Sequence, residues 1–159
     1  MIGGLIARLY PACGAAGSQG LPIPDPVNIA RLAGDRPGNA ALAAPPDFDV
    51  PPDIPTTPYA IPAEALFAAL LLVGTTAPRT WLAAAYPTRL QAHFVARSAQ
   101  LNFPDTIVAE ARMSGAGSVV TIYSESVYGR PGAATQHRRL QDWLAALDAE
   151  LHGTPEGKN

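Results

Sequence analysis

Few residues in this sequence have the type and spacing to do chemistry. His93, His137 and His152 stand far apart along the chain, so only the fold could bring them together, and no metal site is expected. His93 sits in an alternating stretch and is expected to be a partly exposed packing residue. Cys13 is the single cysteine and lies among proline, alanine and glycine. A thiol becomes a nucleophile when a neighbouring cation, base or helix N-terminus lowers its pKa, and none is adjacent. Asp47, Asp49 and Asp53 carry carboxylates at short spacing. A calcium loop needs more oxygen ligands and a glycine-bearing turn, so these three are expected to be solvated.

The larger catalytic signatures are missing. The chain has no glycine-rich phosphate loop, no His-Glu-x-x-His, no Gly-x-Ser-x-Gly and no dinucleotide fingerprint, and no cofactor is expected. One cluster does stand out. Arg130, His137, Arg138 and Arg139 surround a predicted strand-to-helix turn. Cations near a helix N-terminus oppose the macrodipole. A bound anion would relieve that repulsion and take up the free N–H groups. Arg130, Arg138 and Arg139 are therefore the candidate anion- or partner-binding residues. The competing expectation is that Glu125, or a carboxylate of the N-terminal arm, pairs with them.

Elements must position these residues. Twelve of the 17 prolines fall in residues 1–62, a density that blocks regular helix and central strand alike. Residues 1–61 are read as an extended proline-rich arm, with Leu21 to Pro26 and Ala44 to Pro58 close to polyproline. Its apolar residues between Phe48 and Ile61 favour packing against the domain. The segment Met1 to Tyr10 is apolar but broken by Arg8, and falls well short of a bilayer span.

An α+β domain is expected over residues 62–152. Pro62 opens a helix running to Val73 that is apolar nearly all round, hence buried. Four strands are predicted after it. The first is Thr80–Tyr86. The second is a long run from Arg89 to Phe103, whose change of parity near Arg97-Ser98 implies a bulge or bend. Pro104-Asp105 is read as a turn before a third strand through Met113. Ser114-Gly115-Ala116-Gly117 makes a hairpin into the fourth, Val119–Tyr128. A helix over about 133–151 presents Leu140, Trp143, Leu144, Leu147 and Leu151 as one stripe. The expected architecture is an antiparallel sheet of about four strands packed by the apolar helix and the long C-terminal helix. Residues 153–159 are read as a disordered tail.

Composition bounds the function. The chain has 159 residues and a net charge of -2, with 48% hydrophobic and 15% charged residues. This suits one folded domain and excludes nucleic-acid binding driven by excess cations.

The C-terminal half resembles a known family, the domain of unknown function 1499. Leu101-Asn102-Phe103-Pro104-Asp105 is similar to its turn motif, keeping Phe103 and Asp105. Tyr123-Ser124-Glu125-Ser126-Val127-Tyr128-Gly129 is similar to its strand motif, keeping Ser124, Ser126 and Gly129. Gly132 to Arg139 is similar to its helix opening, keeping Arg139, with Gln136 where the family has asparagine. The stretches Pro37 to Leu42 and Ala77 to Thr80 also fit. The strand arginines of the family are replaced here by Glu125 and Val127, and its Asp and Gly before the helix by Gly132 and Ala134. The resemblance marks Asp105, Ser124, Ser126 and Gly129 as a polar motif and implies no established activity.

Three readings follow, in order. The first is a non-enzymatic interaction or assembly domain whose partner is a protein or a membrane-associated complex. The second is a binder of a small apolar ligand in a pocket of the sheet. The third is an enzyme with an unrecognised polar site around Asp105, Ser124, Ser126 and Arg139. No compartment is assigned.

Overall fold

The computed structural model describes residues 6, 8–129 and 132–153. A short 3-10 helix (Pro11–Gly14) comes first, then a short helix α1 (Ile29–Gly34), strands β1 (Ala40–Ala44) and β2 (Ile54–Pro55), and helix α2 (Ala63–Thr76). Strands β3 (Thr80–Tyr86), β4 (Gln91–Arg97), β5 (Pro104–Ser114) and β6 (Gly117–Ser126) follow, and helix α3 (Ala133–His152) ends the fold.

The sheet has six strands in the order β2-β1-β6-β5-β4-β3. This corrects the expectation of about four antiparallel strands. Both extra strands come from the proline-rich stretch, and β2 runs parallel to β1, so the sheet is mixed. The sequence Ala40-Ala41-Leu42-Ala43-Ala44 is buried throughout, so it has no alternation to betray it. Asp53 joins these strands. Its carboxylate accepts the Leu42 amide at 2.8 Å and pairs with Arg36 at 3.2 Å, so it is tied into the fold instead of standing free in solvent.

The run from Arg89 to Phe103 is not one strand. β4 stops at Arg97, and a tight turn follows in which the Ser98 amide donates to the Phe103 carbonyl and Asn102 takes a φ of +56°. The parity change marks the end of β4, and Pro104 opens β5 instead of turning the chain. The bulge lies in β3, between Leu82 and Ala84. The hairpin comes where the glycines predict it, with Ser114 opposite Gly117. A Cβ at Gly117 would collide with the Tyr59 carbonyl, so only glycine lets the chain before α2 bridge to Ser118.

One face of the sheet carries α2 and α3. Leu66, Leu70, Leu140, Trp143 and Leu147 pack on Phe94, Ile107, Ala109, Val120 and Ile122. α2 runs past Val73 to Thr76, and the Thr75 and Thr76 hydroxyls donate back to the Leu71 and Leu72 carbonyls at 2.7 Å. The other face is covered by α1 and the N-terminal segment. Arg97, 3% exposed, reaches across this face to donate to the carbonyls of Ala12, Gly17, Gln19 and Asn102. The Asn102 amide donates to the Cys13 and Ala15 carbonyls at 2.8 Å. Tyr10 packs on Phe103 and Tyr128.

Candidate functional site

The order of strands puts Asp105, at the start of β5, directly opposite Ser126 at the end of β6. Ser124 lies two residues back on β6, so it shares the helix-bearing face with Ser126. The first turns of α3 pass over these positions and bring Gln136 and Arg139, three residues apart, onto the same side of the helix. The polar residues of three elements meet there.

Asp105 has no solvent exposure, and Arg139 is 17% exposed. The Arg139 Nη2 donates to Asp105 Oδ2 at 2.7 Å. Its Nη1 donates to Gln136 Oε1 at 2.5 Å and to Ser124 Oγ at 3.2 Å. The Ser124 hydroxyl donates to Gln136 Oε1 at 2.6 Å. Among the described residues Asp105 Oδ1 and Gln136 Nε2 make no well-formed hydrogen bond, although the Gln136 and Ser126 side chains lie close enough to Asp105 to favour its charged form. Burial pushes the Asp105 carboxyl above the ordinary aspartate range, and Arg139, Gln136 and Ser126 pull it back.

The described residues of the basic turn take different places. Arg139 turns inward and pairs with Asp105, not with Glu125, which instead accepts the Tyr123 hydroxyl at 2.6 Å. Arg138 is exposed, and among the described residues it makes no ion pair. Arg130 lies outside the described residues. Gly129 has a φ of +73° and turns the chain after β6, which explains glycine there without a role in binding. Gln136 was not expected at the centre of the cluster. Its signal was the asparagine that the resemblance places at that position.

Arg139 also forms part of the wall of a cleft. This space, about 400 Å3, lies between the C-terminal end of α2, the start of β3 and one side of α3. Val73, Ala77, Pro78 and Trp143 supply its apolar surface, and Thr80, Thr135, Arg138 and Asp142 its polar groups. Sequence reasoning missed the cleft, because its walls come from three separate elements.

Ser124 has no base among its partners, which are an amide oxygen and a guanidinium. Activation of a hydroxyl needs a base in hydrogen-bond reach, so this serine acts as a structural link in the network. His93, expected to be partly exposed, is 4% exposed on the opposite face of the sheet. Among the described residues no three His, Cys, Asp or Glu side chains gather in a way that could hold a metal ion.

The family model described as protein of unknown function (DUF1499) matches residues 29–147. The chain belongs to the DUF1499 family. That match spans the whole cluster from Asp105 to Arg139 and every wall of the cleft. Within this DUF1499 chain the turn, strand and helix motifs are therefore one structural unit, joined by the Arg139–Asp105 pair. Among solved structures, the crystal structure of Ara h 8.0201 is similar at 9% identity and a TM-score of 0.46, covering 62% of this chain and 94% of that one. No curated protein matches the chain.

Proposed function

We propose that this DUF1499 chain is a non-catalytic binding domain that docks an acidic segment of a protein partner in the cleft between α2 and α3. The observation that carries this reading is the exposed cation of Arg138 on the cleft wall, next to Arg139. Arg139 is held rigid by Asp105 and Gln136, and Arg138 stands beside it, exposed and without an ion pair among the described residues. The cleft joins the Arg138 cation to the apolar surface of Val73, Ala77, Pro78 and Trp143, with Asp142 as the acidic group of the same wall. A carboxylate next to an apolar side chain has the matching chemistry, with the charge setting orientation and the apolar contact supplying area. A role in a larger or membrane-bound assembly would then come through the partner. Among the described residues no helix is long and apolar enough to cross a membrane.

Short peptides that place an apolar residue next to either a glutamate or a glutamine, with both chain ends blocked, test this reading. Trp143 lines the cleft, so its fluorescence, read in a Trp81→Phe background, reports occupancy. The glutamate peptide should bind and the glutamine peptide should bind at least about tenfold more weakly, with Arg138→Glu removing the difference. Equal binding of the two peptides, or an unchanged preference in Arg138→Glu, overturns the proposal.

A further inference from the structure

The face of the sheet turned away from α2 and α3 holds a second space. Side chains alternate along a strand, so Gln91, His93, Val95 and Arg97 of β4 point to this face, as do Thr106 and Val108 of β5. Residues 21–27 cross above them as a strap. Between strap and sheet lies a cavity of about 150 Å3, walled by Leu21, Pro24 and Val27 above and by Val95, Val108 and Ala83 below. His93 and Thr106 are the polar side chains of its wall.

The strap is fastened on both sides of this space. Before it, Arg97 donates to the Gly17 and Gln19 carbonyls, both at 2.7 Å. At its far end the Gln91 amide holds both backbone groups of Val27, at 2.9 and 2.8 Å, and midway the Tyr86 hydroxyl donates to the Pro24 carbonyl. Pro22, Pro24 and Pro26 have no N–H, so the strap brings few backbone donors over an apolar space. Ile23 is 81% exposed, although a cavity that it could fill lies beneath the strap. The chain is thus bridged over the sheet and held off it.

His93 has a defined proton position. Val27 orients the Gln91 amide, so the Gln91 oxygen faces the ring and His93 Nε2, 2.9 Å away, carries the hydrogen. That leaves Nδ1 as an acceptor in the neutral ring, and burial lowers the pKa of His93, which keeps the ring neutral. An apolar cavity of this size accommodates one six-membered aromatic ring.

We propose that the cavity under the 21–27 strap binds a single-ring aromatic alcohol of the phenol class, its ring between Leu21, Val95 and Val108 and its hydroxyl donating to His93. The cavity lies on the face of the sheet opposite α2 and α3 and shares no lining residue with the cleft at Arg139, so the two sites are separate.

Titration of the full chain with phenol, anisole and benzene, followed through the methyl resonances of Leu21, Val95 and Val108, tests the assignment. Phenol should give saturable shifts confined to these methyls, with an affinity at least about tenfold above that of anisole or benzene. Ala83→Leu should fill the space and abolish binding of all three, while the methyl spectrum around Trp143 stays unchanged. His93→Leu should bring phenol down to the level of benzene. Absence of saturable shifts, or shifts that map to the Trp143 cleft, overturns the site. Equal affinity for phenol and anisole in the unaltered chain overturns the role of His93, and that comparison needs no variant to fold.

Discussion

Removing the Arg139 guanidinium while keeping its bulk, as in Arg139→Met, isolates the central charge pair. Asp105 is fully buried between β4 and β6, with Ala96 on one side and Ser126 on the other, so water cannot replace the lost partner. Breaking a buried pair from one side leaves an uncompensated charge, at a cost of about 3–5 kcal/mol. That is a large share of the roughly 5–15 kcal/mol that holds a domain together. Ser124 and Gln136 keep their own 2.6 Å bond, so the loss is concentrated on the carboxylate.

The pH dependence gives the sharper test. Burial raises the Asp105 carboxyl, and Arg139 is the chief force lowering it. A carboxyl whose folded-state pKa lies above the unfolded value contributes stability below the unfolded value, about 4, and loses it as pH rises through the folded one. Without Arg139 the folded value climbs further, and the window of loss extends to higher pH. The difference between the two proteins in urea unfolding should be small in acid and reach its full size at neutral pH. Asp105→Leu combined with Arg139→Met should restore most of the loss and remove the pH dependence of the difference. A loss below about 1 kcal/mol at neutral pH, or one that does not vary with pH, refutes the reasoning.

Other outcomes follow from the same contacts. Trp143→Ala should cost about 3–5 kcal/mol, because the ring is 3% exposed and stands edge-on to Phe94 at 5.2 Å; chemical denaturation measures it. Arg97→Met should free residues 12–19 from the sheet, read as hydrogen exchange there at least about tenfold faster while β4 to β6 stay protected. Limited proteolysis should spare residues 45–60, since Asp53, Thr56 and Tyr59 are tied to β1 and β6. Early cleavage there with the rest intact would contradict the packing of this stretch.

How much was legible depended on where a pattern could form. The α3 stripe was plain, and Leu140, Trp143 and Leu147 are all buried as its spacing requires. β3 was bounded by Pro78 and Pro87 and came out over the predicted residues. β1 was hidden because small residues buried on both faces neither alternate nor carry strong β-propensity. β2 is two residues long and contains a proline, which only a sheet edge tolerates. The polar cluster was approached through the resemblance, which picked out Asp105, Ser124, Ser126 and Arg139. Their contact depends on strand register and on the path of α3, and neither is written in local spacing. The 400 Å3 cleft left no trace in the sequence for the same reason.

The two buried arginines face opposite sides of the sheet and are satisfied in opposite ways. Arg139 meets a carboxylate, so its charge is cancelled inside the helix-bearing layer. Arg97 meets carbonyl oxygens only, from Ala12, Gly17, Gln19 and Asn102, and burial lowers its pKa. Carbonyl dipoles solvate a guanidinium without neutralising it, so several must be turned toward it at once. That demand accounts for a segment rich in proline and glycine with little regular structure. The Gly17 and Gln19 carbonyls lie outside any helix or ladder and point at the cation, while the Ala12 carbonyl, in the short 3-10 helix Pro11–Gly14, accepts from both the Ala15 amide and Arg97. It also accounts for the direction of the strap, which leaves Arg97 at Gln19 and is caught again by Gln91 at Val27. Between those two anchors the chain is tied to the sheet's edge strand through the Tyr86 hydroxyl at Pro24, and the cavity beside His93 is the space that span leaves.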